Sequence, residues 1–346
     1  MKRLIIVRVR MDTVHLSREI FQKAAIRAEN AEKVKCKPLR PNAYVENQKS
    51  LVALVRTEDR RSGIVEALRL IGGLRPAIEN FSEGYVLIKP NCNSFDPFPA
   101  STHIDTLRLV ISLLIESGLK KEQIVVGDMS GPAWLPTEMT MKKNGILDVV
   151  REFGVRVSFF ENEEWVWVKP KEASSWPEGF RIAKILYNAS RIISLPCLKT
   201  HQFGGVFTLS LKNSVGFINP ADRAILHKKP GCRIAEINLA YTADLIVLDG
   251  MQCFVSGGPA YGKKVASGVI IAGGDRVAVD AVGVAILKFH KAKDIAGVKV
   301  KDHEQLKRAA EIGLGHLNID MIALKTSNMA NDEKFDDLVT FVKSQL

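Results

Sequence analysis

A chain of 346 residues, 46% of them hydrophobic and 25% charged, has ordinary globular composition and enough length to bury a large core. Its 49 Lys and Arg against 38 Asp and Glu leave a formal net charge of +11, which favours anionic partners. No run approaches the ~18 apolar residues of a membrane span, and no RRM or zinc-finger signature or basic–aromatic interleaving appears, so membrane and nucleic acid are both disfavoured.

The opening MKRLIIVRVRMD has an apolar run of only Leu4 to Val7, too short for a signal peptide, so it reads as a strand in a cytoplasmic protein. Residues 1–50 form an N-terminal extension: that strand over Leu4–Val9, a polar helical stretch SREIFQKAAIRAENAEKVK, and a connector KPLRPNAY with two prolines. From Leu51 the pattern turns regular. LVALVRT reads as a strand, SGIVEALRLIGGL as a helix stopped by Gly72–Gly73, and GYVLIKPN as a strand stopped by Pro90. STHIDTLRLVISLLIESG reads as a helix capped by Ser101–Thr102, and QIVVGDMS as a strand. TEMTMKKNGILDVVREFG reads as a helix interrupted at Gly145, and VRVSFFE as a strand.

This alternation predicts an α/β fold: a mostly parallel sheet with helices on both faces, in two lobes with a cleft at the C-terminal ends of the strands. Residues 161–182 break the rhythm. They hold Trp165, Trp167 and Trp176, and EWVWVKP alternates as an edge strand does, so the segment is either an antiparallel excursion or an irregular insertion. Then come SRIISLP as a strand, TLSLKNSVGFI and CRIAEINLAYTA as helices, and DLIVLDG and ASGVIIAGG as strands. DRVAVDAVGVAILKFH and DHEQLKRAAEIGLG read as helices, and NIDMIALKT as a strand. The expected organisation is a main domain over 51–326, with lobes 51–160 and 183–326, and a C-terminal helix over 327–346.

The five cysteines, Cys36, Cys92, Cys197, Cys232 and Cys253, form no CxxC, so neither a local zinc motif nor a ferredoxin-type cluster motif is present and reduced thiols are expected. Lys199 beside Cys197 favours a thiolate there, while burial favours an inert thiol, the stronger reading. Asp275 stands where a helix N-cap would, and Asp280 reads as a helix-dipole partner.

Ligands on parallel sheets sit beyond the carboxyl ends of the strands, which makes the loops there the candidate site. These loops hold Lys89 and Asn91, Asp128, Lys199 and His201, Asp249 with Gly257–Gly258, and Asp275. A lysine at a buried strand end is costly without a counter-charge, which a bound anion or a neighbouring Asp supplies. If a helix begins near Thr208, its free amides together with Lys199 and Lys212 make an anion site. Solvated lysines and a His201 bonded to backbone are the plain alternative.

The segments VLIKPN (86–91), IVVGDMS (124–130), ISLPCLKTHQFGGVFTLSLKNSVG (193–216), FVSGGPAYG (254–262), GGDRVAVDAVG (273–283) and AAEIGLGHLNIDMI (309–322) occur in that order. Together they resemble the DUF362 family, over roughly Leu51 to Thr326. Some members carry fused ferredoxin modules, so the resemblance implies a ferredoxin-like redox partner; this chain lacks such a block. The family is also distantly similar to nickel-pincer lactate racemases, which use histidine and lysine at an interdomain cleft, and this implies that His201 and Lys199 face a cleft.

The expected function is an enzyme acting on a small anionic substrate, a carboxylate or a phosphate. His201 and Lys199 would carry the chemistry, with Lys199 and Lys212 holding the anion. Thr208 and Asn213 would orient it; Lys89, Asn91 and Asp128 would form the opposite wall, and Gly257 and Gly258 a contacting loop. No cofactor or metal is assigned. The alternatives are a metal or redox centre built from Cys92, Cys197, His201 and Cys253, and a non-enzymatic anion or nucleic-acid binder.

Overall fold

The computed structural model describes residues 18–131 and 135–346; the expected strand at Leu4–Val9 lies outside them. Eight strands build the main path of one large sheet: β1 Lys49–Arg56, β2 Val86–Pro90, β3 Ile124–Asp128, β4 Arg156–Phe159, β5 Arg191–Leu195, β6 Leu245–Gly257, β7 Val269–Gly273 and β8 Ile322–Asn328. They lie in the order β8-β1-β7-β6-β5-β2-β3-β4. All run parallel except β7, which is antiparallel to both neighbours.

Apolar runs buried on both sides explain these strands. In β2, Leu87 joins the core on one face while Val86 and Ile88 join the core on the other. Helices α1 Arg60–Leu70, α2 Ile104–Glu116, α3 Thr137–Lys143 and α4 Ile146–Phe153 cover the second face. Helices α5 Pro230–Ile237, α6 Arg276–Phe289 and α7 Phe335–Gln345 cover the first. The α/β sandwich is therefore as expected, and the break at Gly145 is real, with φ at +82° between α3 and α4. The tryptophan-rich segment folds as the antiparallel excursion: Trp165–Val168 pairs with Phe180–Ala183, and also with Glu32–Lys33.

Three local expectations fail. Gly250 does not end a strand: β6 runs on to Gly257, because a Cβ at Gly250 would meet Val269 Cγ2 at 2.8 Å, so the glycine permits close strand packing. Asp249 is consequently a mid-strand residue, paired with Arg60 at 2.7 Å. Helix α2 is capped by His103, whose Nδ1 accepts from Asp105 N at 3.2 Å, and not by Ser101–Thr102. The Thr102 hydroxyl instead donates to Leu195 O at 2.6 Å, tying this loop to the end of β5.

Candidate functional site

The parallel strand ends gather most of the expected residues. Lys89 at the end of β2 and Asp128 at the end of β3 are buried neighbours whose Nζ and Oδ1 lie 2.7 Å apart. Backbone amides complete the aspartate: Cys92 N donates to Oδ2 and Met129 N to Oδ1, both at 2.7 Å. Lys89 also donates to Asn213 Oδ1 at 3.2 Å and sits over the Phe217 ring at 5.4 Å. Gly216 covers the pair. A Cβ there would come within 2.1 Å of Asp128 Oδ1 and 3.0 Å of Lys89 Nζ, so only hydrogen fits.

Asn213 is the crosspiece. Its amide donates to Lys89 O at 3.2 Å and to Ser194 Oγ at 3.0 Å, joining the ends of β2 and β5. The local chain differs from expectation. Phe207–Thr208 is a short strand paired with Cys197–Thr200, and the helix that follows is only Ser210–Asn213. Its first amides are not free for an anion, because the buried Asp280 of α6 accepts from Ser210 N at 2.7 Å and Leu211 N at 3.0 Å. Asp280 thus serves as a helix-end partner, although burial pushes its carboxyl up to about 7. Asp275 caps α6 through Val277 N and Ala278 N, as expected. It lies at the far end of the sheet, because β7 is reversed, so that loop leaves the site.

Lys199 and Lys212 differ. Lys199 Nζ is wholly buried and donates to Asn91 Oδ1, Pro99 O and Ala100 O, which pins the loop after β2. Burial lowers its ammonium from the usual 10.5 to about 8. Lys212, only 9% exposed, has a single acceptor, Gly204 O at 2.9 Å. Burial, then the charges of Lys199 and Arg223, push its ammonium well below the usual range. His201 is half-buried, and its Nδ1 accepts from Phe203 N at 3.1 Å, which assigns the proton to Nε2. Burial and the neighbouring lysines hold the imidazole neutral. Thr208 Oγ1 is buried with no partner among the described residues.

A cavity of about 730 Å³ opens between these groups. Lys89, Asn91, Asp128, His201, Thr208, Lys212 and Asn213 reach its wall, whereas Lys199 stands behind it. Gly257 and Gly258 brace the strand next door. The carbonyl of Gly257 accepts from Thr200 Oγ1 at 3.2 Å, and a Cβ on Gly258 would strike Thr200 O at 2.0 Å. From that loop it is Pro259 that reaches the cavity.

Sequence reasoning missed Arg223. It sits on the helix Pro220–Leu226, its Nη1 donates to Ser130 O at 2.8 Å, and the residue lines the cavity. Burial lowers it to about 10, within the charged range at neutral pH. The signal was Pro220 opening a helix directly after SLKNSVGFIN, which carries Arg223 and His227 back to the same mouth. The helix expected in the extension is present over residues 18–27, but its place at the cavity was missed: Arg18, Phe21, Gln22 and Ala25 line one side. Among the described residues no carboxylate lies within ion-pair distance of Lys199, Lys212 or Arg223. Asp128, the acid on the wall, is already paired with Lys89.

The expected metal alternative finds no such support. Cys92 belongs to one core and Cys253 to the other, and no group of three or more His, Cys, Asp or Glu among the described residues could hold a metal. Burial outweighs Lys199 at Cys197 and pushes that thiol up to about 11. These residues fit neither an iron–sulfur cluster nor a nickel site.

Fold and site together define an α/β protein with a cation-lined cleft at its parallel strand ends. A family model described as "Domain of unknown function (DUF362)" matches residues 86–285, more than half of the chain, and the chain belongs to the DUF362 family. No curated protein matches it. Among solved structures it is similar to the lactate racemase apoprotein from Thermoanaerobacterium thermosaccharolyticum, at 10% identity and a TM-score of 0.34, over 86% of this chain and 87% of that one. This is the distant likeness expected from the sequence, and at that level it carries no argument about chemistry. Among the described residues no helix is long and apolar enough to cross a membrane.

Proposed function

We propose that the protein is an enzyme whose cleft binds a small carboxylate or phosphate. One observation carries this: Lys212 and Arg223 are desolvated on the wall of one cavity with no carboxylate paired to either among the described residues. Desolvation of the Arg223 guanidinium, which has no carboxylate paired to it among the described residues, carries a cost that the charges of Asp128 and Glu161 only partly offset. An anionic guest offsets that cost. Arg223 supplies the fixed charge and Lys212 the group beside it. His201, kept neutral with its proton on Nε2, donates to a reacting oxygen without first losing a charge, a recognised way to polarise a carbonyl. Thr208 offers a hydroxyl with no partner among the described residues, and Lys89, Asn91, Asp128 and Asn213 form a hydrogen-bonded opposite wall. Lys199 becomes a positioning residue for Asn91.

The test is thermal stabilisation by a panel of small carboxylates and phosphates. At least one anion should raise the melting temperature, and Arg223→Met should remove most of that rise. A flat response across the panel, or a rise untouched in Arg223→Met, refutes the reading.

A further inference from the structure

Lys212 is placed differently from the other two buried lysines at this end of the sheet. Lys89 has Asp128 at 2.7 Å, and Lys199 has a ring of oxygen acceptors behind the wall. Among the described residues Lys212 has one backbone carbonyl as acceptor and the Thr208 hydroxyl has no partner; both line the cavity, together with Arg223 and a neutral imidazole. Charge holding alone does not need this arrangement, because Arg223 already provides a permanent cation. An amine beside an anion anchor, with hydrogen-bonding groups around it, suits addition to a carbonyl carbon.

We propose that Lys212 is a nucleophilic amine that forms an imine with a small carbonyl compound bearing a carboxylate or phosphate, the anionic group resting on Arg223. This deepens the preceding reading and rests on it. The Nζ lone pair forms a bond to the carbonyl carbon, and the π pair moves to the oxygen, which takes one Nζ proton to give a carbinolamine. The C–O bond then breaks. Its oxygen leaves as water with the second Nζ proton, and the nitrogen pair closes the C=N bond. His201 Nε2–H and Thr208 Oγ1 are the groups available to the oxygen as it leaves. No oxidant or reductant is consumed. Burial also lowers the ammonium of Lys212 well below its usual range, in the direction of the free amine that adds to a carbonyl.

The experiment incubates the full chain at neutral pH with sodium cyanoborohydride and either glyoxylate, for a carboxylate, or pyridoxal 5′-phosphate, for a phosphate. Adducts are then located by peptide mass mapping. Lys212 should be labelled about tenfold or more faster than surface lysines. Excess glycolate or inorganic phosphate, which lack the carbonyl, should protect it. Lys212→Arg should keep the thermal shift with glycolate or phosphate and lose the adduct. Should that variant not fold, the mapping on the unaltered chain decides alone. Anions that stabilise the protein while Lys212 stays unlabelled overturn the imine and leave the anion site standing. Neither stabilisation nor labelling overturns both.

Discussion

The two ends of the main sheet treat charge in opposite ways. At the end where the parallel strands begin, Arg40 holds Asp244 at 2.6 Å, and Asp275 accepts from Ser50, Val277, Ala278 and His316. Arg276 spends its guanidinium on Asn238 and on Tyr241 O. Each of these charges has a structural use. At the other end Lys89 and Asp128 are equally settled, but among the described residues Lys212 and Arg223 donate to backbone carbonyls and pair with no carboxylate, and the Thr208 hydroxyl has no partner. Saturation marks scaffold; a deficit kept in a cavity marks a place for a guest.

That contrast can be broken by substitution. The largest effect should come from Asp128→Ala, which strands Lys89 in the interior: a loss of about 3–5 kcal/mol in chemical denaturation. Asp244→Ala, whose partner Arg40 is one-third exposed, should cost about 1–2 kcal/mol. Equal losses would erase the difference between the ends.

Next comes pH. Lys199 titrates near 8 in the fold against 10.5 when unfolded, so between those values the unfolded chain binds more protons. Stability should therefore rise as pH climbs from about 8 to 10.5, by on the order of 3 kcal/mol from this group. In Lys199→Met that rise should flatten.

Gly216→Ala pushes a methyl group against Asp128 and should cost about 1–3 kcal/mol. The smallest change should have the opposite sign. Lys212→Met removes a desolvated amine that lacks a counter-charge, so the ligand-free protein should be unchanged or about 1 kcal/mol more stable. Clear destabilisation by Lys212→Met would place this lysine with the scaffold.

The sheet and its helices were legible because apolar runs and glycine or proline stops are local signals. So were the positions of Lys89, Asn91 and Asp128, since the end of a parallel strand has a known destination. What could not be read was direction and depth. Reversal of β7 sends Asp275 to the far end, and no single segment announces a reversed strand. Gly250 looks like a stop and is a packing contact. Lys199 and Lys212 look alike in the sequence, yet one is enclosed by carbonyls of a distant loop and the other is left to a cavity. The Asp280 carboxylate, 70 positions from Ser210, takes the amides that an anion was expected to use.

The helix at residues 18–27 is held by Asn219, whose amide donates to Ala24 O at 3.1 Å, and by Arg27 on Glu161 O. It lies outside residues 86–285, as do β1 and β8. A fragment trimmed to the family segment would lose one side of the cavity and expose the bare edge of β7 to self-association. The segment that matches the family is thus smaller than the unit that encloses the cavity.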